Sequence, residues 1–233
     1  MKLRLAVALS FIAVFVAAPS VRAADAPKRS AYNWTGFYIG AQIGYGWAKS
    51  STTETNLVGT FPVYYNFDAD GALGGGHVGY NYQFDRIVAG LEGDFEVANV
   101  NGSQISPAYG VNYTSRTQMD YDGSLRLRAG YSFDRLLVYG TGGLAYGRVR
   151  TDYGCEGCVV LASGLSAIDG DRWGWTIGAG VDYAATDKIS VNLEYRYTDL
   201  GAMTKIAPSP VVAIFGDDKF TSSAVRLGAS YHF

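Results

Sequence analysis

The sequence predicts an all-β protein: an eight-stranded antiparallel up-and-down transmembrane β-barrel with four long extracellular loops and short periplasmic turns. Three observations carry that prediction. About eight segments alternate apolar with polar or small residues at a period of two, which gathers the apolar members on one face of a strand. Their connections switch between tight turns and long polar stretches. The last residues form a strand of the same kind, with Val225, Leu227, Ala229, Tyr231 and Phe233 on one face, whereas a soluble domain usually lets its terminus fray in polar sequence.

The start of the chain fits export. Lys2 and Arg4 precede an apolar run from Leu5 to Ala18, and Val21-Arg22-Ala23 offers a small-residue cleavage pattern. Residues 1–23 read as a signal peptide cleaved after passage through the Sec pathway, because an apolar core of roughly 14 residues falls short of the roughly 20 that span a bilayer. Residues 24–33 read as a periplasmic linker and 34–233 as the barrel. After the signal peptide no segment is apolar enough for a membrane helix, so spanning falls to strands. With 30 Gly, 18 Tyr and 11 Phe against 6 Pro, the composition favours strands, tight turns and aromatic girdles. A net charge of −2 with scattered Lys and Arg gives no basic footprint for nucleic acid.

The first strand places Phe37, Ile39, Ala41, Ile43, Tyr45 and Trp47 on one face, opposite Tyr38, Gln42 and glycines. In the second, Val78, Tyr80, Tyr82 and Phe84 are the apolar face, and only Asp85-Arg86 separates it from a third that sets Ile87, Ala89, Leu91, Phe95 and Val97 against Glu92, Asp94 and Glu96. The fourth opposes Met119, Tyr121, Leu125, Leu127, Ala129, Tyr131 and Phe133 to Asp120, Asp122, Ser124, Arg126 and Arg128. Asp134-Arg135 turns into a glycine-rich fifth strand with Leu136, Val138, Leu144 and Tyr146 on one face. The sixth carries Trp173, Trp175, Ile177, Ala179, Val181 and Tyr183. A turn at Thr186-Asp187-Lys188 opens the seventh, with Ile189, Val191, Leu193, Tyr195 and Tyr197 opposite Glu194 and Arg196. The stretches Ser50–Gly71, Asn101–Gln118, Arg150–Asp171 and Asp199–Lys219 read as the long loops. A lipocalin also alternates, but its apolar face lines a cavity. Here the apolar faces end in aromatics and the opposite faces carry charges that would spoil such a cavity.

Tyr32-Asn33-Trp34-Thr35-Gly36-Phe37-Tyr38-Ile39-Gly40, then Gly44-Tyr45-Gly46-Trp47, resembles the opening of the small outer-membrane immunogenic or porin-like barrel proteins of alphaproteobacteria. The likeness runs on through Gly79-Tyr80, Gly130-Tyr131, Tyr139-Gly140-Thr141-Gly142-Gly143, Glu194-Tyr195-Arg196-Tyr197 and the terminal Tyr231-His232-Phe233. It implies an eight-stranded barrel related to the transmembrane part of OmpA, located at the surface of a Gram-negative outer membrane and concerned with envelope integrity and host contact. It also implies that the terminal aromatics, Tyr231 and Phe233, are the signal read by the barrel-assembly machinery. No catalytic motif comes with it.

The chemistry-bearing residues concentrate on the face opposite the lipid: Glu92, Asp94, Glu96, Arg126, Arg128, Asp182, Glu194, Arg196 and Arg226. They form either an ion-pair network that plugs the interior or a charged lining that selects ions in a low-conductance porin. The lumen of a barrel this size is just wide enough for side chains to fill, which favours the plug. Catalysis has little to recruit, since His77 and His232 are the only histidines and no substrate cleft is indicated; the chain is expected not to be an enzyme. Gly71 to Gly76 lacks the Lys and helix of a phosphate loop and reads as a flexible strand entrance, so no cofactor is expected. Cys155-Glu156-Gly157-Cys158 has no second pair to complete a zinc site, and an oxidising surface favours a small loop disulfide. Expected partners are outer-membrane lipid and lipopolysaccharide, the barrel-assembly machinery, and host surfaces met by apolar loop pieces such as Phe61–Tyr65 and Pro208–Phe215; the barrel is expected to be a monomer.

Overall fold

The computed structural model of the chain describes residues 32–56, 63–108, 111–156, 168–207 and 214–233. The expected signal peptide and linker up to residue 31 lie outside the described residues. So do 57–62, 109–110, 157–167 and 208–213, and with them Cys158, so the loop disulfide of Cys155 and Cys158 stays a reading of the sequence.

Eight antiparallel strands form a closed barrel in simple sequential order. They are β1 (Gly36–Asn56), β2 (Val63–Phe84), β3 (Ile87–Ala108), β4 (Val111–Phe133), β5 (Leu136–Glu156), β6 (Ile168–Ala184), β7 (Ile189–Ala207) and β8 (Ile214–His232). Closure is made by β8 against β1, paired from Tyr38↔His232 to Asn56↔Ile214, and the Phe233 N–H donates to the Phe37 carbonyl at 3.1 Å. Every strand thus has a partner on both sides, as hydrocarbon demands of a backbone it cannot hydrogen-bond.

Two connections at one end are two-residue turns, Asp85-Arg86 and Asp134-Arg135, each with its aspartate in the left-handed region (φ 54° and 61°). Aspartate tolerates that conformation because its short polar side chain bonds locally. The third, around Thr186, is held by the Thr186 hydroxyl, which accepts the Lys188 and Ile189 N–H groups at 3.2 and 2.9 Å.

At the other end the strands run much further than the alternation indicates. They are 17 to 23 residues long, which at ~3.3 Å per residue and ~45° tilt is about 40–55 Å, against an apolar band of about 25 Å. Most of three of the stretches read as loops, and half of Arg150–Asp171, is therefore strand. Val63–Tyr65 belong to β2 and Ile214-Phe215 to β8, while Phe61, Pro62 and 208–213 lie outside the described residues.

The outer face is apolar and ringed twice by aromatics. Phe37 contacts Tyr80, Tyr131 contacts Phe133 and Tyr231 contacts Phe233 near the turns. Higher up, Phe95, Tyr121, Tyr146 and Trp173 follow one another around the barrel, with Trp175–Tyr197 and Trp47–Tyr195 continuing the belt. Along β1, Phe37 and Trp47 stand about 23 Å apart at ~3.3 Å per residue and ~45° tilt, the height of a hydrocarbon core.

One facing differs from expectation. The β4 register slips between Met119 and Tyr121, so that the Asp120 side chain turns outward, bonded to Gln118, and Met119 turns into the barrel. A bulge of this kind inverts the alternation beyond it.

Candidate functional site

The interior is built in layers, each set by which side chains the pleat turns inward. Nearest the turns, Tyr32, Trp34, Val88, Leu137, Tyr139 and Ala184 pack together. Tyr32, from the end of the expected linker, thus packs inside the barrel beside Trp34, the first residue of the expected barrel. Trp34 is fully buried; its backbone N–H donates to Gln83 Oε1 at 2.8 Å and its indole N–H to the Asp134 carbonyl at 3.2 Å. The Tyr32 N–H donates to Asp134 Oδ1 at 2.9 Å, and the rings of Tyr32 and Trp34 meet edge-on at 4.8 Å. Burial pushes the Tyr32 hydroxyl above its ordinary pKa, which keeps it neutral where it packs.

Above this layer lies the charged middle. Every lumen residue singled out in the sequence is there, and all of them are buried. Arg126, with no exposed surface, is the hub. Its guanidinium meets Glu92, Asp94 at 3.0 Å, Glu194 at 2.8 Å and the Thr141 hydroxyl at 3.1 Å. Arg196 bridges Asp94 at 2.8 Å and Glu194 at 2.9 Å. Arg226 holds Glu96 at 2.8 Å, whose other oxygen accepts from Gln42 Nε2, also at 2.8 Å. Arg128 pairs with Asp182 at 2.8 Å and lies over the Tyr139 ring, 3.7 Å from its centroid. The Tyr38 hydroxyl donates to Glu92 Oε2 at 2.6 Å.

Sequence reasoning placed Asp122 on the lumen face without assigning it to the network. It stands opposite Glu96 in register, 3.5 Å from Arg226. It brings the carboxylates of the middle layer to Glu92, Asp94, Glu96, Asp122, Asp182 and Glu194, which outnumber the guanidiniums of Arg126, Arg128, Arg196 and Arg226. Glycines make room for these long side chains by letting strands approach closely. A Cβ on Gly75 would sit 2.0 Å from the Phe95 carbonyl oxygen, so this part of the glycine run is an element of β2 that packs tightly rather than a loose entrance. His77 lies inside, 2.7 Å from the Ser230 hydroxyl, and His232 is 3.0 Å from Ser190.

A second apolar layer follows, composed of Ala48, Ala69, Val100, Met119, Ala145, Val149, Leu200 and Phe220. Met119 enters it because of the β4 bulge, and Ala69 and Leu200 come from stretches read as loops. Above it is a smaller polar set. Arg172 pairs with Asp218 at 2.6 Å, the Ser50 hydroxyl donates to Asp218 at 2.7 Å, and Thr151 does so at 3.2 Å. Among the described residues no group of three or more His, Cys, Asp or Glu side chains is arranged to hold a metal ion.

A closed barrel with lipid-compatible walls and a polar, charge-paired interior is the construction of an outer-membrane barrel. A family model described as "Outer membrane protein beta-barrel domain" matches residues 7–233. The chain belongs to the outer-membrane β-barrel family. Among its relatives in that family, a 31 kDa outer-membrane immunogenic protein of Brucella melitensis biotype 1 is 36% identical over 234 residues, covering 94% of this chain and 91% of the relative. A 22 kDa outer membrane protein of Rhizobium leguminosarum bv. viciae is 33% identical over 181 residues, covering 76% of this chain and 69% of the relative. The crystal structure of the outer membrane protein OprG from Pseudomonas aeruginosa shares the fold at a TM-score of 0.52 and 12% identity, covering 88% of this chain and 99% of that one. For an outer-membrane barrel the short turns and both chain ends of the described barrel face the periplasm and the long strands rise on the outside.

Proposed function

We propose that the protein is a closed, non-catalytic structural barrel that contributes to envelope integrity and presents its tall outer strands as a contact surface. The burial of Arg126 among Glu92, Asp94 and Glu194 carries this reading, because a hub so surrounded leaves side chains where a channel would hold water. Planar-bilayer recordings on refolded protein test it. Wild type is expected to give no stepwise openings, whereas openings that disappear in Arg126→Ala would replace the plug with a pore.

A narrow porin for hydrophilic solutes is the competing reading. It is favoured by buried polar atoms without a protein partner, among them the Asn81 amide and Oδ1 of Asp182, which ordered water would satisfy.

Assembly is the second part of the proposal. Phe233 is 78% exposed at the periplasmic edge, in edge-on contact with Tyr231. It is available to the barrel-assembly machinery and adds little to packing. Deleting Phe233 should lower the outer-membrane level of the protein in cells while leaving refolding into detergent nearly unchanged. Normal outer-membrane levels of that truncation would remove the assembly role.

A further inference from the structure

We infer that a groove on the outer face of β4–β6 seats one acyl chain of lipopolysaccharide, with the sugar phosphate above it meeting Arg148 and Arg150. The groove has a volume of about 450 Å³ and is bounded by Gly123, Leu125, Leu144, Tyr146 and Trp173. Its origin is a single missing side chain. The registers of β3 to β6 align Phe95, Gly123, Tyr146 and Trp173 in one row across four strands, so glycine interrupts an otherwise aromatic row. In the row below, Leu125, Leu144 and Trp175 continue the apolar surface toward the middle of the membrane.

Position decides the occupant. The groove breaks into the upper aromatic belt between Tyr146 and Trp173 and runs down to Leu125 and Leu144, so its lower part is covered by hydrocarbon, and that hydrocarbon belongs to the outer leaflet. In a Gram-negative outer membrane the lipid of that leaflet is lipopolysaccharide. The row above has Tyr121, Arg148 and Asp171 side by side, with the Tyr121 hydroxyl donating to Asp171 at 2.9 Å. Arg148 binds Asp169 at 2.8 Å and Arg150 binds Asp152 at 3.2 Å through Nε, yet their side chains are 43% and 53% exposed. Asp169 already accepts from Arg148 Nε at 3.1 Å and Nη2 at 2.8 Å, so a phosphate would meet the Nη edge of that guanidinium. The carboxylates of Asp152, Asp169 and Asp171 moderate that attraction, so the groove supplies more of the selectivity than the charges do.

Native mass spectrometry of the folded, detergent-solubilised barrel, incubated separately with lipid A and with phosphatidylethanolamine, tests the site. Wild type should retain one lipid A in preference to phosphatidylethanolamine. Leu144→Trp, which fills the groove from its lipid-exposed side and should not impair folding, should reduce retention roughly tenfold. Gly123→Leu should do the same, but its Cβ would stand 3.0 Å from the Asp94 carbonyl oxygen, so its folded state is verified first by heat-dependent gel mobility. Replacing Arg148 and Arg150 together by alanine should weaken lipid A a few-fold and leave phosphatidylethanolamine unaffected. Equal retention of both lipids by wild type, or undiminished lipid A on Leu144→Trp, would overturn the proposal.

Discussion

Arg126→Ala is expected to destabilise the folded barrel by about 3–5 kcal/mol, measured as equilibrium unfolding by urea in lipid vesicles. The size follows from what is left behind. Glu92, Asp94 and Glu194 converge on this one guanidinium, and its removal leaves three buried carboxylates to share Arg196, Arg128 and the Tyr38 hydroxyl. Arg126→Lys keeps the charge but loses the planar fork that serves several partners at once, so it should fall between wild type and alanine. The surface pair Arg148–Asp169 is the control, because losing an exposed pair should cost less than about 1 kcal/mol. An Arg126→Ala barrel within about 1 kcal/mol of wild type would mean that the middle layer is a solvated lining, as in a pore, rather than a cohesive network.

The second large effect belongs to Trp34. Trp34→Ala is expected to cost about 3–5 kcal/mol, the range for removing a large aromatic side chain from a packed core. The loss combines the cavity with the indole N–H bond to the Asp134 carbonyl, and it loosens the contact with His232, whose ring centroid lies 5.9 Å away on the closing strand. Trp34→Phe restores most of the packing without the N–H and should recover most of the stability. Hydrogen exchange read at the periplasmic ends of β1 and β8 should rise in the alanine variant. Unchanged stability and exchange would reduce the segment before β1 to a tether.

The eight strands were legible wherever the two faces of a strand meet different surroundings. Lipid outside and charge inside write a period-two signal, and Leu125–Phe133 or Ile189–Tyr197 carry it cleanly. Above the upper belt the outward face meets polar surroundings, and beyond the second apolar layer the inward face does too. There Ser, Thr, Asn and Gly occupy strand positions without alternating, so paired backbone reads as loop. The β4 bulge was hidden for a related reason: Met119 and Asp120 fit the expected pattern in residue type, and only the register reveals that the facing changes.

The nine lumen residues were legible as a set because charge on the face opposite lipid is expensive anywhere else. Their pairing was not, since which carboxylate meets which guanidinium depends on strand tilt and stagger rather than on spacing. The role of Tyr32 and Trp34 was missed because a few residues before the first strand have no period to read. An aromatic pair placed directly ahead of a strand that starts beside the chain's last residues is the signal that was present.

The layered lumen has an electrical consequence. The aromatic stopper below and the Met119–Leu200–Phe220 layer above act as two insulating partitions in series, with the arginine–carboxylate layer enclosed between them. In the closed barrel proposed above, the buried Arg172–Asp218 pair and the apolar layer beneath it would stop ions from the outside, and Trp34 would stop ions from the periplasm. A transmembrane voltage in such a closed barrel falls across the two partitions and the ion-pair layer between them in series. Conduction through it would need both partitions to open at once, and rearranging the ion pairs alone would leave it shut.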